Sequence, residues 1–159
     1  MDFGEPRSAY DVMLIGQYAS RLSEKGRAAL PKKFRVELGE RVILSRWYET
    51  CLVVVSTTTW DSIINSISGG QVVTRPARDT DRFLLAGAFE AELDKQGRLI
   101  IPQTLREYAG LKNEIIFLWL GDRVEIWNEG IWQEHEKQVL EKAGELAQTL
   151  FEQSKSKEK

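Results

Sequence analysis

The sequence predicts an α+β protein. Two tandem strand–turn–strand–helix–strand units pack as one small barrel-like core, with flanking helices and a long C-terminal helix. Three observations carry that prediction. First, "LDKQGRLIIPQTLREYAG" (Leu93–Gly110) repeats "LSEKGRAALPKKFRVELG" (Leu22–Gly39), and Gly26, Arg27, Pro31, Arg35 and Gly39 each lie 71 residues ahead of Gly97, Arg98, Pro102, Arg106 and Gly110. Second, short apolar runs bounded by glycine or polar turns flank each motif, as strands do. Third, a long helical stripe of apolar residues closes the chain.

Taken in order, each copy opens on an extended run, "GQYASRL" or "GAFEAEL", that ends in a polar turn holding Gly26 or Gly97. Glycine suits a positive backbone φ there. A second strand, "RAAL" or "RLII", leads to proline at a helix start, where a missing N–H costs nothing. The helices stop at Gly39 and Gly110. Within them Phe34 and Leu38, or Leu105 and Ala109, fall four apart on one buried face, leaving Lys32, Lys33 and Arg35 to face elsewhere. Two strands follow in each copy: "RVILS" with "CLVVV", and "EIIFLWL" with "RVEIW", the latter pair joined at a Gly121–Asp122 turn. A unit of this size is too small to bury a core alone, so the copies are expected to complete one core together.

Between and after the copies, "TTTWDSIINSI" predicts a helix with threonine caps and an apolar set at Trp60, Ile63, Ile64 and Ile67. "SGGQVVTRPARDT" (Ser68–Thr80) reads as a loop, and "RFLLAGA" leans helical. The last helix carries Trp132, Val139, Leu140, Ala143, Leu146, Ala147 and Leu150 along one stripe, either internal core or a seam between subunits. "SKSKEK" is expected to fray. The resulting plan is a basic repeat over 14–60, a connecting helix and loop over 61–86, an acidic repeat over 87–131, and the C-terminal helix with its tail over 132–159. Residues 1–12 are expected to be loosely held, as a short extension or as sequence preceding a start at Met13.

Composition bounds the function. At 42% hydrophobic and 29% charged the chain is globular, and its single cysteine, Cys51, precludes an internal disulfide and suits a reducing compartment. The longest apolar run, "IIFLWL", is far short of the roughly 20 residues that span a bilayer, so no membrane partner and a cytoplasmic location are expected. The overall net charge of −2 argues against a polyanionic ligand. The local charge argues otherwise: Gly16 to Trp60 holds 8 Lys/Arg against 4 Asp/Glu, whereas Gly87 to Ile131 holds 5 against 8. Only the first copy carries an excess that draws in phosphate.

The paired motifs resemble the MraZ family, within the wider AbrB/MazE-like group of bacterial DNA-binding proteins. "LDKQGRLIIPQTLREYAGL" is similar to the family's Asp-x-x-Gly-Arg…Ile-Pro…Leu-Arg pattern, "LSEKGRAALPKKFR" follows it less closely, and the "VEIW…W" ending from Val124 to Trp132 adds to the likeness. It spans Leu14 to Leu150. The resemblance implies a transcriptional regulator that assembles into a ring, is nucleoid-associated, and binds tandem short repeats in double-stranded promoter DNA of a division and cell-wall gene cluster, its own operon included. It implies that Arg27 and Arg98 face DNA, with Arg35 and Arg106 as further candidates. The first copy departs at Ser23, where the family carries aspartate. Serine accepts turn N–H groups more weakly, but it also withdraws a negative charge from beside the phosphate-facing residues.

The residue chemistry agrees. An arginine directly after a tight glycine turn projects a planar fork able to bond guanine O6 and N7 together or to clamp a phosphate. Lys25 supplies a point charge for phosphate, and Arg21, Lys32, Lys33 and Arg35 extend the basic surface. Two roles stay open for Arg27 and Arg98, reading DNA or bracing their own turns, and Lys32, Lys33 and Arg35 also fit an ordinary solvated face. Trp60, Trp119, Trp127 and Trp132 fit core or subunit contacts better than base-stacking platforms. Catalysis finds no footing. His135, the only histidine, sits among charges as an exposed helix residue, Cys51 reads as a buried thiol, and no zinc ligand set or phosphate loop is present. No cofactor, metal or small-molecule substrate is expected. The rival to a DNA-binding regulator is an antitoxin-like or scaffold protein that binds another protein.

Overall fold

The computed structural model describes residues 14–68 and 72–157, so the expectation for residues 1–12 and Met13 lies outside the described residues. The chain divides into a body that ends at Asn128 and a helical unit from Glu129 onward.

In the body the first copy forms β1 (Leu14–Arg21), β2 (Arg27–Ala29), α1 (Lys32–Leu38), β3 (Arg41–Arg46) and β4 (Leu52–Ser56). Two helices follow, α2 (Thr57–Ser68) and α3 (Arg75–Leu84). The second copy repeats the order with β5 (Phe89–Glu92), β6 (Arg98–Ile100), α4 (Gln103–Tyr108), β7 (Glu114–Gly121) and β8 (Val124–Asn128). The copies are interleaved rather than adjacent. One antiparallel sheet runs β1-β7-β8-β4-β3-β5, and a separate ribbon pairs β2 with β6. The first strand of each copy thus lies against the third strand of the other: Ser20 faces Ile115, and Val42 faces Ala91. The register places the matching residues Ala28 and Leu99 opposite one another, and Val53 opposite Glu125, so a local two-fold axis relates the copies.

Alternation along the strands sends one set of side chains into a core shared by both copies. Phe34, Leu38, Val42, Leu44, Leu52 and Val54 meet Leu99, Ile101, Leu105, Ala109, Ile115, Phe117 and Ile126 there. The expected inward pairs Phe34/Leu38 and Leu105/Ala109 are all buried. Phe34 stacks edge-on against Tyr18, 5.0 Å between centroids, and truncating so fully buried a ring to alanine typically costs about 3–5 kcal/mol. A smaller cluster of Ile43, Val53, Val55, Trp60 and Leu84 forms where α2 and α3 cover the other face of β3 and β4.

Several elements differ from their sequence reading. The segment read as a loop over Ser68–Thr80 contains most of α3, because Thr74 caps it by accepting the Ala77 N–H and proline sits in its first turn. "RFLLAGA" is helical only to Leu84 and then turns. The end of α3 is tied to β3: Ser45 Oγ donates to the Leu84 carbonyl at 2.7 Å, and Arg46 donates to the Phe83 and Arg82 carbonyls at 2.9 Å each. These bonds satisfy carbonyls that a helix end leaves unpaired. The cap of α2 is Ser56 rather than a threonine, its Oγ accepting the Thr59 N–H at 3.1 Å, and Ile67 is exposed instead of joining the apolar set. The helix therefore begins at Thr57, ahead of the 61–86 connector. The "GD" turn forms as expected, closed by the Leu120 N–H to Arg123 carbonyl bond of 3.0 Å.

The helical unit is α5 (Glu129–Lys157). It starts three residues before 132 and carries helix through Ser154–Lys157, where fraying was expected. None of its residues is buried.

Candidate nucleic-acid interface

The sequence reads each Gly-Arg turn as the link between the first and second strands of its own copy. The structure builds it differently: β2 pairs with β6, so one ribbon carries both turns. Arg27 lies opposite Ile100, and Arg98 opposite Ala29. Because the central Ala28 and Leu99 point into the core, at 2% and 0% exposure, alternation turns Arg27, Ala29, Arg98 and Ile100 outward together. The two arginines are diagonal neighbours, with backbones roughly 7–8 Å apart. They form one basic face.

The turns that deliver them are closely matched. Ser23 N–H donates to the Arg27 carbonyl at 2.9 Å and Gly26 N–H to the Ser23 carbonyl at 2.9 Å; the counterparts from Asp94 and Gly97 measure 3.0 and 2.8 Å. Both glycines have positive φ, 79° at Gly26 and 75° at Gly97. Each also meets the other copy: the Gly26 carbonyl accepts Ile101 N–H at 2.7 Å, and the Gly97 carbonyl accepts Leu30 N–H at 3.1 Å. Arginines from the helices fill the space a Cβ would need, Arg106 against Gly26 and Arg35 against Gly97. Arg106 Nε donates to the Ile101 carbonyl at 3.0 Å, while Arg35 Nε is buried without a partner among the described residues.

One difference separates the two halves. Asp94 accepts the backbone N–H groups of Gln96 and Arg98 and, through its second oxygen, Arg98 Nε at 2.7 Å. The Arg98 backbone bond first, then its side chain, holds the Asp94 carboxyl below its ordinary value of 3.8. Ser23 accepts only the Arg27 N–H, at 3.0 Å, and no described residue engages the half-exposed Arg27 guanidinium. The serine keeps the turn and releases the arginine. Of the two effects weighed for Ser23, a weaker turn and a withdrawn charge, the backbone turn bonds match those at Asp94, while the serine side chain makes one longer bond, 3.0 against 2.8 Å, where the aspartate makes two to N–H groups.

The remaining candidates are dispersed. Lys25 is exposed on the turn directly before Gly26, and Arg21 is exposed at the end of β1 across from Glu114. Lys32 is exposed; Lys33 is drawn over the Tyr18 ring, 5.0 Å from its centroid, onto β1. Arg35, read as part of an open basic surface, is half-buried on the Gly97 turn and shares a cleft with Gly39, Glu40, Leu93, Asp94 and Lys95. Lys95, exposed between Asp94 and Gln96, is a cation that sequence reasoning passed over, because its match in the first copy is Glu24.

Comparison with known proteins decides the family. The model described as "MraZ protein, putative antitoxin-like" matches twice, over residues 13–83 and 84–153. The chain belongs to the MraZ family. Its relatives include proteins named transcriptional regulator MraZ from Caldanaerobacter subterraneus subsp. tengcongensis, 41% identical over 87% of this chain and 96% of that one, and from Caldicellulosiruptor bescii, 45% identical over 76% and 84%. The Leuconostoc citreum protein of the same name is 39% identical over 88% and 98%. The two MraZ matches divide the chain as the internal repeat does.

Other chemistry-bearing residues lie away from the ribbon. Cys51 is fully buried, its Sγ bonded to the Tyr48 carbonyl at 3.3 Å, and burial, with Glu125 and Glu49 nearby, pushes its thiol far above the usual range. His135, expected to be exposed, is half-buried, because Trp132 one turn earlier lies 6.0 Å from its ring. Trp60, Trp119 and Trp127 are buried. Among the described residues no group of three or more His, Cys, Asp or Glu side chains is placed to hold a metal ion.

Proposed function

We propose that this MraZ-family chain is a sequence-specific DNA-binding transcriptional regulator whose contact surface is the outer face of the β2/β6 ribbon. The observation that carries the reading is the pairing of Arg27 with Arg98 on one exposed face, Arg27 having no competing carboxylate among the described residues. A two-stranded ribbon fits the major groove. Arg27 takes a base edge or phosphate, Lys25 a neighbouring phosphate, and Arg98 joins when a phosphate competes with Asp94. Arg35 acts first as a brace for the second turn, while Arg21 and Lys33 lie at the margin. The relatives' name, transcriptional regulator, points the same way.

One ribbon offers too few phosphate contacts for tight binding at physiological salt, so repetition is required. The proposal therefore includes self-association into a ring of AbrB-like tandem units, gripping short direct repeats in the promoter of a division and cell-wall gene cluster that includes its own operon, within the cytoplasmic nucleoid. Leu140, Leu146 and Leu150 on α5, 71%, 48% and 65% exposed, supply apolar surface for such assembly. The same stripe favours the second reading, an antitoxin-like or scaffold module for another protein. Mobility shift of the full chain on its own upstream DNA, with the tandem boxes intact or scrambled, separates the two. Box-dependent retardation supports the regulator; equal binding or none supports the protein-partner reading.

A further inference from the structure

Between the two arginines the ribbon presents an apolar side chain that phosphate binding does not explain. Ile100 is 55% exposed, directly opposite Arg27, on the face it shares with Arg98. Its counterpart across the local two-fold axis is Ala29, also exposed. The core has no use for either, since the ribbon's contribution to it is made by Ala28 and Leu99. A β-branched side chain in a strand is confined at χ1, so Ile100 stands as a stiff apolar post beside a guanidinium that no described residue engages.

We propose that Ile100 is a specificity-determining residue that contacts the C5-methyl group of a thymine in the major groove, next to the base pair or phosphate engaged by Arg27. This rests on the DNA-binding reading above. Thymine is the one base whose major-groove edge carries a methyl group, and an apolar side chain is what recognises it. Withdrawing that contact leaves the arginine bonds in place, so it changes which base is preferred more than whether DNA is held.

The asymmetry has a consequence for the arrangement of the DNA. Arg27 and Arg98, related by the local axis, already differ, since a carboxylate, Asp94, holds Arg98. Ile100 against Ala29 makes the halves more unequal: one extends a branched side chain to the groove floor, the other a single methyl. Such a ribbon reads its box in one direction. Directional boxes are what head-to-tail repeats are made of.

The test is fluorescence anisotropy of the full-length chain on a duplex of its own upstream region, synthesised with thymidine or with deoxyuridine, which lacks only the methyl group. Wild type and Ile100→Ala are compared at matched salt. Wild type is expected to bind the deoxyuridine duplex about four-fold more weakly for each box, the change expected on losing contact with one methylene-sized group. Ile100→Ala is expected to bind the thymidine duplex more weakly and to show no further loss on deoxyuridine; Ile100→Val retains most of the discrimination. Equal wild-type binding to both duplexes, or the same loss in Ile100→Ala as in wild type, overturns the methyl contact while leaving the DNA-binding reading intact. Failure of wild type to hold the thymidine duplex overturns both.

Discussion

Replacing Ser23 with aspartate copies the second turn's clamp into the first. Ser23 Oγ already accepts the Arg27 N–H at 3.0 Å, so a carboxylate there is positioned to take the same bond. Its second oxygen then reaches Arg27 Nε, as Asp94 reaches Arg98 Nε at 2.7 Å. Ser23→Asp thereby removes one free cation from the outer face and adds a negative charge beside it. If Arg27 neutralises one phosphate, the log–log salt slope falls by about 0.9 per subunit. Over a four-fold change in salt, from about 50 to 200 mM, that contact alone accounts for about 3.5-fold in affinity. The reciprocal Asp94→Ser releases Arg98 and is expected to strengthen binding and steepen the slope. Its turn should survive, because serine sustains the matching turn at Ser23 with bonds of similar length. Anisotropy titrations of both variants against salt read these changes directly. Unchanged slope and affinity in Ser23→Asp would refute the idea that a free Arg27 makes the contact.

Three further outcomes follow from the same geometry. Gly26→Ala combines left-handed strain of about 1–2 kcal/mol with a Cβ only 2.8 Å from the Ile101 carbonyl, so thermal unfolding should begin roughly 2–8 °C lower or worse. An unchanged melting temperature would contradict the tight packing of the turn. The Asp94 carboxyl is held below 3.8, so its contribution to stability is present above that pH and is lost as pH falls through the lower folded value. Asp94→Asn should accordingly melt below wild type at neutral pH, with the gap closing in acid; a pH-independent gap would exclude this linkage. Cys51 is fully buried and its thiol is pushed far above its usual range, so the native chain should resist aromatic disulfide reagents at neutral pH and react on unfolding. Rapid labelling of the native chain would contradict that burial.

The repeat told most of what each copy would look like. The constant spacing located both glycine turns, and the four-residue step of Phe34 and Leu38 identified the buried helix face. It could not tell which strand pairs with which. Period-two alternation marks the face a strand buries, not its neighbour, and an intact copy looks as though it should fold on itself. The exchange of first strands between copies, and the ribbon that puts Arg27 and Arg98 side by side, were therefore out of reach. Helix α3 was missed for a different reason: "RPARDTDRFL" fully buries only Leu84, and the face leading to it is made of small or weakly apolar residues, Ala77 and Thr80, that read as loop, although Thr74 ahead of a proline marked its start. Arg35 looked like surface charge because its brace, Gly97, lies in the other copy. His135 looked exposed because its neighbours in sequence are charged, whereas its neighbour on the helix is Trp132.

No described residue engages the Arg27 guanidinium on the outer face of the ribbon, and its removal is the most direct test of what that face does. Arg27→Ala, measured at several salt concentrations on the chain's own upstream duplex and on a scrambled one, is expected to lose its preference for the native duplex and to show a shallower salt slope, with melting temperature and assembled mass unchanged. Native-level affinity and preference in that variant, in a chain that folds and assembles normally, would contradict the assignment of the β2/β6 ribbon as the DNA-reading surface.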